Sequence, residues 1–339
     1  MRRPKTPREA TTVKDARRNA GVLLLVLGFG LAGCKSEKDY LARLPKVPDA
    51  GPEELRPRPP EATLLLAEQN GPRNLEVVSG QVFWMTQGGR PTGAIGVFGM
   101  PDRGGPVTTY TSGNADLMAI AADADAVYWL EPRAGRVMKK PRAGGEETKL
   151  ADSNGISRGL FLDRDTVYWA ENEAIFAVPK AGGKARVVSP TDIPDLFAVD
   201  DGFVYWYSSI SGNLSRAPKK GGRAQKIYTD KEHTLHTLLV DGNDLFVAWG
   251  AEGRMTIQRL PTGGGAPVTV VDGQQSPLDF ALDAQHLYWI TEDDVLKVPR
   301  TGGAATKVVE KLWFGTSLAV DDQYVYWTDK SRIQRMPKK

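Results

Sequence analysis

One cysteine, three histidines and no long hydrophobic run narrow what this 339-residue chain can be. With Cys34 alone, no disulfide within one chain can brace the fold, so packing must do it. His233, His236 and His286 match neither a zincin nor a zinc-finger spacing. The H-x-x-H pair at His233 and His236 is the one weak metal candidate, and no cofactor is expected, a divalent cation being the single exception left open. No G-x-S-x-G, P-loop or dinucleotide fingerprint occurs in the strand–helix context that its chemistry needs. The longest apolar stretch, ending before Cys34, is about 13 residues, short of the roughly 20 that a membrane span requires. The formal charge of +3 comes from the beginning of the chain. Residues 1–33 hold seven Lys or Arg against Glu9 and Asp15, which leaves the remainder at −2. A nucleic-acid partner therefore has no electrostatic basis.

What is present at the N-terminus is ordered as an export signal: basic residues, an apolar core, then Leu31-Ala32-Gly33-Cys34. That tetrad resembles the bacterial lipobox, in which small residues admit a signal peptidase and the cysteine is acylated. The resemblance implies a signal peptide at 1–33, lipidation at Cys34, and a bacterial cell-envelope lipoprotein whose partner is the membrane through its lipid. Lys35, in place of an aspartate, favours the outer membrane, with the protein facing the periplasm or the cell surface. Residues 34–61 are rich in proline and charge without apolar periodicity, the composition of an extended tether.

Residues 62–339 are organised by repetition. An aromatic–Trp or related apolar pair recurs at Phe83-Trp84, Tyr128-Trp129, Tyr168-Trp169, Tyr205-Trp206, Phe246-Val247, Tyr288-Trp289 and Tyr326-Trp327. Its second residue advances by 45, 40, 37, 41, 42 and 38 positions. That period belongs to a four-stranded propeller blade. Asp-bearing turns follow the first strand in six units and Gly-Gly turns follow the third in six, residue types that suit tight hairpins. The last unit ends after its third strand, while Ala62–Ala67 precedes the first. The expected fold is all-β: a β-propeller of about seven four-stranded blades, closed by an N-terminal strand that joins the last blade.

Tyr326-Trp327-Thr328-Asp329, with Leu318-Ala319-Val320-Asp321 before it, resembles the YWTD repeat of low-density-lipoprotein-receptor propellers. The array as a whole resembles bacterial YWTD/NHL-like propeller lipoproteins. Only the last copy keeps Thr-Asp after its Trp, and no cysteine-rich modules flank the array, so the resemblance carries the fold rather than receptor biology.

A four-stranded blade places both regular turns on one face and the two irregular connections on the other. The regular turns are basic, Lys219, Lys220 and Arg223 among them, and would lie toward anionic headgroups. The irregular face carries Glu131, Glu171, Glu173, Asp192, Asp195, Asp230, Glu232, Glu292, Asp293, Asp294 and Asp329, with Trp313-Phe314 as an aromatic anchor or a plug for the central channel. Variable loops on a rigid scaffold are where binding concentrates. The leading expectation is a non-catalytic binding or scaffolding protein whose ligand, a protein, peptide or glycan, meets this face. The competing one is an enzyme resembling the propeller lyases and lactonases, with a divalent cation held near Asp192, Asp195, Asp230 and Glu232. No catalytic residue is assigned.

Overall fold

The computed structural model describes residues 62–89, 93–113, 116–153, 157–251 and 254–338. The signal peptide, Cys34 and the tether lie outside the described residues. Twenty-eight strands follow one another: β1 (Thr63–Leu66), then β2–β5 within 72–113, β6–β9 within 120–152, β10–β13 within 157–190, β14–β17 within 196–229, β18–β21 within 234–274, β22–β25 within 279–309 and β26–β28 within 317–337. They form seven four-stranded antiparallel sheets, six of them in sequential order and the seventh ordered β1-β28-β27-β26. The first strand of each blade contacts the first strands of its two neighbours, and this closes a ring: β2 (Pro72–Val78), β6 (Ile120–Ala122), β10 (Ser157–Leu162), β14 (Leu196–Val199), β18 (Thr234–Asp241), β22 (Asp279–Leu282) and β26 (Ser317–Val320). The chain is a seven-bladed β-propeller, closed as its repeat predicts by a strand from the N-terminal side.

The aromatic pair explains how blades adhere. Adjacent strand residues point to opposite faces of their sheet. The first member of each pair therefore packs on the following blade, and the second on the preceding one. Tyr128 meets Trp169, Tyr168 meets Trp206, Tyr288 meets Trp327 and Tyr326 meets Trp84, each in a separate buried cluster at one blade interface. In the fifth blade Val247 stands where a Trp is usual. Trp249, two residues along, fills that interface instead, edge-on to Tyr207 at 5.5 Å.

The recurrent aspartates do more than shape turns. In five blades the carboxylate accepts two backbone N–H groups through Oδ1, and through Oδ2 the hydroxyl of a tyrosine five residues on, as in Asp163 with Tyr168 at 2.7 Å. At four interfaces among the described residues a cation from the next blade reaches the aspartate of this turn, in three of those blades and in the fifth, where Phe246 stands in place of the tyrosine: Lys180 to Asp123 (2.8 Å), Lys219 to Asp163 (2.6 Å), Lys338 to Asp283 (2.9 Å) and Arg300 to Asp241 (2.5 Å). Burial alone would raise the Asp163 carboxyl. The Lys219 ion pair, the Tyr168 hydroxyl and the Asp165 amide overcome burial and hold it below the ordinary range.

These ties take Lys219 out of the basic residues that the turn face presents to solvent. Lys219 is spent on Asp163 and on the Asp200 carbonyl (2.9 Å), while Lys220 and Arg223 remain exposed. Lys219→Met should lower stability by about 1–3 kcal/mol, because it leaves Asp163 and the Asp200 carbonyl without their cation. Urea unfolding at neutral pH measures it, and an unchanged midpoint would show the tie to be energetically idle.

Candidate functional site on the loop face

The acidic residues of the irregular face divide by what they hold. Glu131 and Glu171 are buried, and each accepts the indole N–H of the Trp two residues before it: Trp129 at 2.8 Å and Trp169 at 3.0 Å. Arg136 donates to Glu131 across the hairpin, and the Ser153 hydroxyl donates to Glu171 at 2.7 Å. Asp192 takes the same part for Trp206 (3.2 Å) and also accepts the Ser211 hydroxyl. Asp195 accepts the Ser209 amide at 2.7 Å. Asp329 is fully buried between Arg332, which donates to both its oxygens, and Gln334. Asp294 pairs with Lys307 at 2.8 Å. Glu173, Glu232, Glu292 and Asp293 remain exposed.

Trp313 does not stand out from the surface. It is 6% exposed, lies beneath Lys330 at 4.1 Å from its ring centre, and accepts the Lys330 amide through its carbonyl. Phe314 beside it is half-buried.

One cavity of about 580 Å³ opens on this face. Its walls are the hairpin turn at 209–213 of the fourth blade and the connection at 229–234 leading to the fifth, with Tyr207 and Lys226 completing the lining. Asp195 and Asp192 brace the first wall through Ser209 and Ser211. The second wall is an aspartate-capped turn: Asp230 accepts the amides of Glu232 (2.8 Å) and His233 (2.9 Å), and the His233 ring lies 3.1 Å from its other oxygen. Burial would raise Asp230, but these amides and the imidazole hold it low. The two walls touch: the Asp230 amide donates to the Gly212 carbonyl, and Gly212, at φ +68°, has the Asp230 carbonyl oxygen 2.3 Å from where a Cβ would lie. Only glycine fits there, so the turns are held at a fixed distance.

The structure thus brings Asp230, Glu232 and His233 together in one cavity, braced by Asp192 and Asp195, and leaves the other predicted residues dispersed. His236 lies on β18, outside the cavity lining. Among the described residues no three His, Cys, Asp or Glu side chains converge as a metal set. Chemically, the cavity offers hydroxyls, an amide and charges of both signs, a lining suited to holding a polar ligand by hydrogen bonds. Ile210 stands at its lip, 71% exposed, and Met118, Ile193 and Leu278 are further exposed apolar residues in loops of the same face.

Two acidic groups escaped the sequence reading because they lie on strands, not loops. Asp279 opens β22, where its carboxylate accepts the Ser317 hydroxyl (2.9 Å) and the Leu318 amide (3.0 Å), and Ser317 in turn accepts the Leu75 amide (3.0 Å). Glu76 lies on β2, close enough for Asp279 to repel it.

The chain matches no protein-family model and no curated protein sequence. Among solved structures it is similar to the computationally designed Ika8 protein, with a TM-score of 0.59 and 12% identity over 81% of this chain and 98% of that one. It is also similar to the extracellular domain of the putative one component system BT4673 from B. thetaiotaomicron, with a TM-score of 0.63 and 12% identity over 81% of this chain and 40% of that one. A chain of the nidogen/laminin complex gives 0.49 at 17% identity, over 57% of this chain and 82% of that one. At such identities the likeness shows the propeller fold alone.

Proposed function

We propose that the chain is a lipid-anchored protein of the bacterial cell envelope, tethered through Cys34 to the outer membrane, whose propeller binds a partner through the loop face without catalysing a reaction. The cavity between 209–213 and 229–234 carries this reading, because it is preformed, polar and rimmed by exposed Ile210. Of the four carboxylates that the divalent-cation enzyme reading names, Asp192, Asp195 and Asp230 accept hydroxyl, indole and amide donors of the cavity wall, and Glu232 is exposed. The envelope address rests on the order of basic residues, apolar core and Leu31-Ala32-Gly33-Cys34 at the N-terminus. The partner classes consistent with the lining are a protein, a peptide or a glycan.

In cells, Ile210→Asp combined with Lys231→Glu should abolish crosslinking to the native partner, while Lys220→Glu on the opposite face leaves it intact. Equal crosslinking by all three proteins would refute the loop-face reading. In cells fed a tagged fatty acid the protein should become labelled, and Cys34→Ser should abolish the label; an unlabelled wild-type protein would refute the anchor.

A further inference from the structure

The turn face carries one break in the repeat. In all seven blades the residue after the proline that ends the third strand donates its amide to a carbonyl of the turn between the first two strands, as Lys219 does to Gly202 (3.0 Å) and Asp102 to Gly80 (3.0 Å). These seven residues therefore hold one position in the fold, at the junction with the preceding blade. From four of them Lys180, Lys219, Arg300 and Lys338 pair with the aspartate of that blade. From a fifth, Arg142 lies 5.0 Å over the ring of Phe83 in the first blade. At a sixth, the Thr262 carbonyl accepts Arg216 of the fourth blade at 2.8 Å. A basic side chain thus crosses six interfaces on this face. The seventh, where the first blade meets the last, has Asp102 in the cation's place. The aspartate of the last blade, Asp321, keeps its usual partners: Oδ1 accepts the amides of Gln323 and Tyr324, and Oδ2 accepts the Tyr326 hydroxyl at 2.7 Å. Among the described residues no cation joins it. Arg335, paired with Tyr326 across the sheet, lies over Tyr324 at 4.1 Å instead.

We propose that the ring is built to open at this seam, between the last blade and the first, from the turn face and on a hinge at the loop face. Local opening is set by the contacts that bridge the parting elements. A charge-assisted tie is among the stronger of these, and the seam alone has an acid where its six sister interfaces have a cation. The loop-face end of the same interface is held. Thr316 donates its hydroxyl to the Pro72 carbonyl at 2.8 Å, and the Leu75 amide donates to the Ser317 hydroxyl at 3.0 Å. Leu75 and Trp84 pack with Tyr326 and Ile333 across it. The seam blade is also the one that chain connectivity does not close, since its outer strand is β1. The segment ahead of β1 joins the propeller there, so a pull along it is delivered to the seam.

Hydrogen exchange of the full chain without denaturant, read by mass spectrometry, tests this. The turn-face halves of β2 and β26, which line the seam, should exchange about tenfold faster than those of β10 and β14, which line the Lys219 interface. Asp102→Lys restores the cation of the repeat, and should slow exchange at the seam about tenfold while leaving β10 and β14 unchanged. Asp102→Asn removes a charge without adding a tie, and should slow the seam only about two- to threefold. Lys219→Asp is the converse, and should bring β10 and β14 to the rate of the seam. A merely frayed chain end would not answer to residue 102. Uniform exchange across the seven interfaces, a seam indifferent to both substitutions at 102, or a Lys219→Asp protein whose exchange rises in every blade alike would overturn the proposal.

Discussion

Glu76→Gln is expected to stabilise the domain in alkali and to leave it unchanged in acid. The Glu76 carboxyl rises from an ordinary 4.5 to about 8 in the fold, chiefly through burial. Below pH 4.5 both folded and unfolded chains carry the proton. Between 4.5 and 8 the unfolded chain has lost it and the native one has not, so stability falls as pH rises and levels off above 8. The decline attributable to Glu76 is roughly 3–5 kcal/mol once its partial exposure is allowed for. Glutamine removes it. Asp279, lifted to about 6 by burial against the pull of the Leu318 amide and the Ser317 hydroxyl, leaves a smaller decline, complete by about pH 6. Urea unfolding at pH 4, 6 and 9 should show the two proteins coinciding at pH 4 and separating by several kcal/mol at pH 9. A constant offset, or a destabilised variant at pH 9, would mean that the native state does not bury this carboxyl.

Removing β1 should cost more than any single side chain. A chain starting at residue 68 loses the partners of Arg335, Gln334 and Ile333 and the packing of Leu65 and Leu66 beside Trp84 and Tyr326. Two such leucines are worth about 3 kcal/mol together even when only half-buried. The larger consequence is topological: β28 (Ile333–Pro337) becomes an open edge, which invites pairing between chains. Relative to a chain starting at residue 62, the shorter one should elute as aggregates and unfold at markedly lower urea. A monomer of unchanged midpoint would show that the last blade closes without this strand.

The blades and their closure were legible in the sequence because each unit states its own strands, and the aromatic pair marks the strand that faces both neighbours. Much of the site was not. Counting acidic residues in the loops located charge but not its partners. Glu131 and Glu171 follow their tryptophans by two residues, a spacing visible in the sequence, yet only the strand twist shows that the indole N–H turns onto the carboxylate. Lys219 and Asp163 lie in different blades, so the pairing exists only once the ring is assembled. Trp313 looked like an anchor because its loop is irregular, and the fold turns it under Lys330. Glu76 could have been found by aligning the seven first strands, where it is the one acid among alanines and larger apolar residues.

The most direct test of the loop-face account is a photo-crosslinking amino acid placed at Ile210, and separately at Lys220, in the protein expressed in its native envelope. The account predicts a discrete adduct from position 210, lost when Lys231→Glu and Glu232→Lys are introduced beside it, and none from position 220. Adducts from 220 alone, or equally from both, would contradict it.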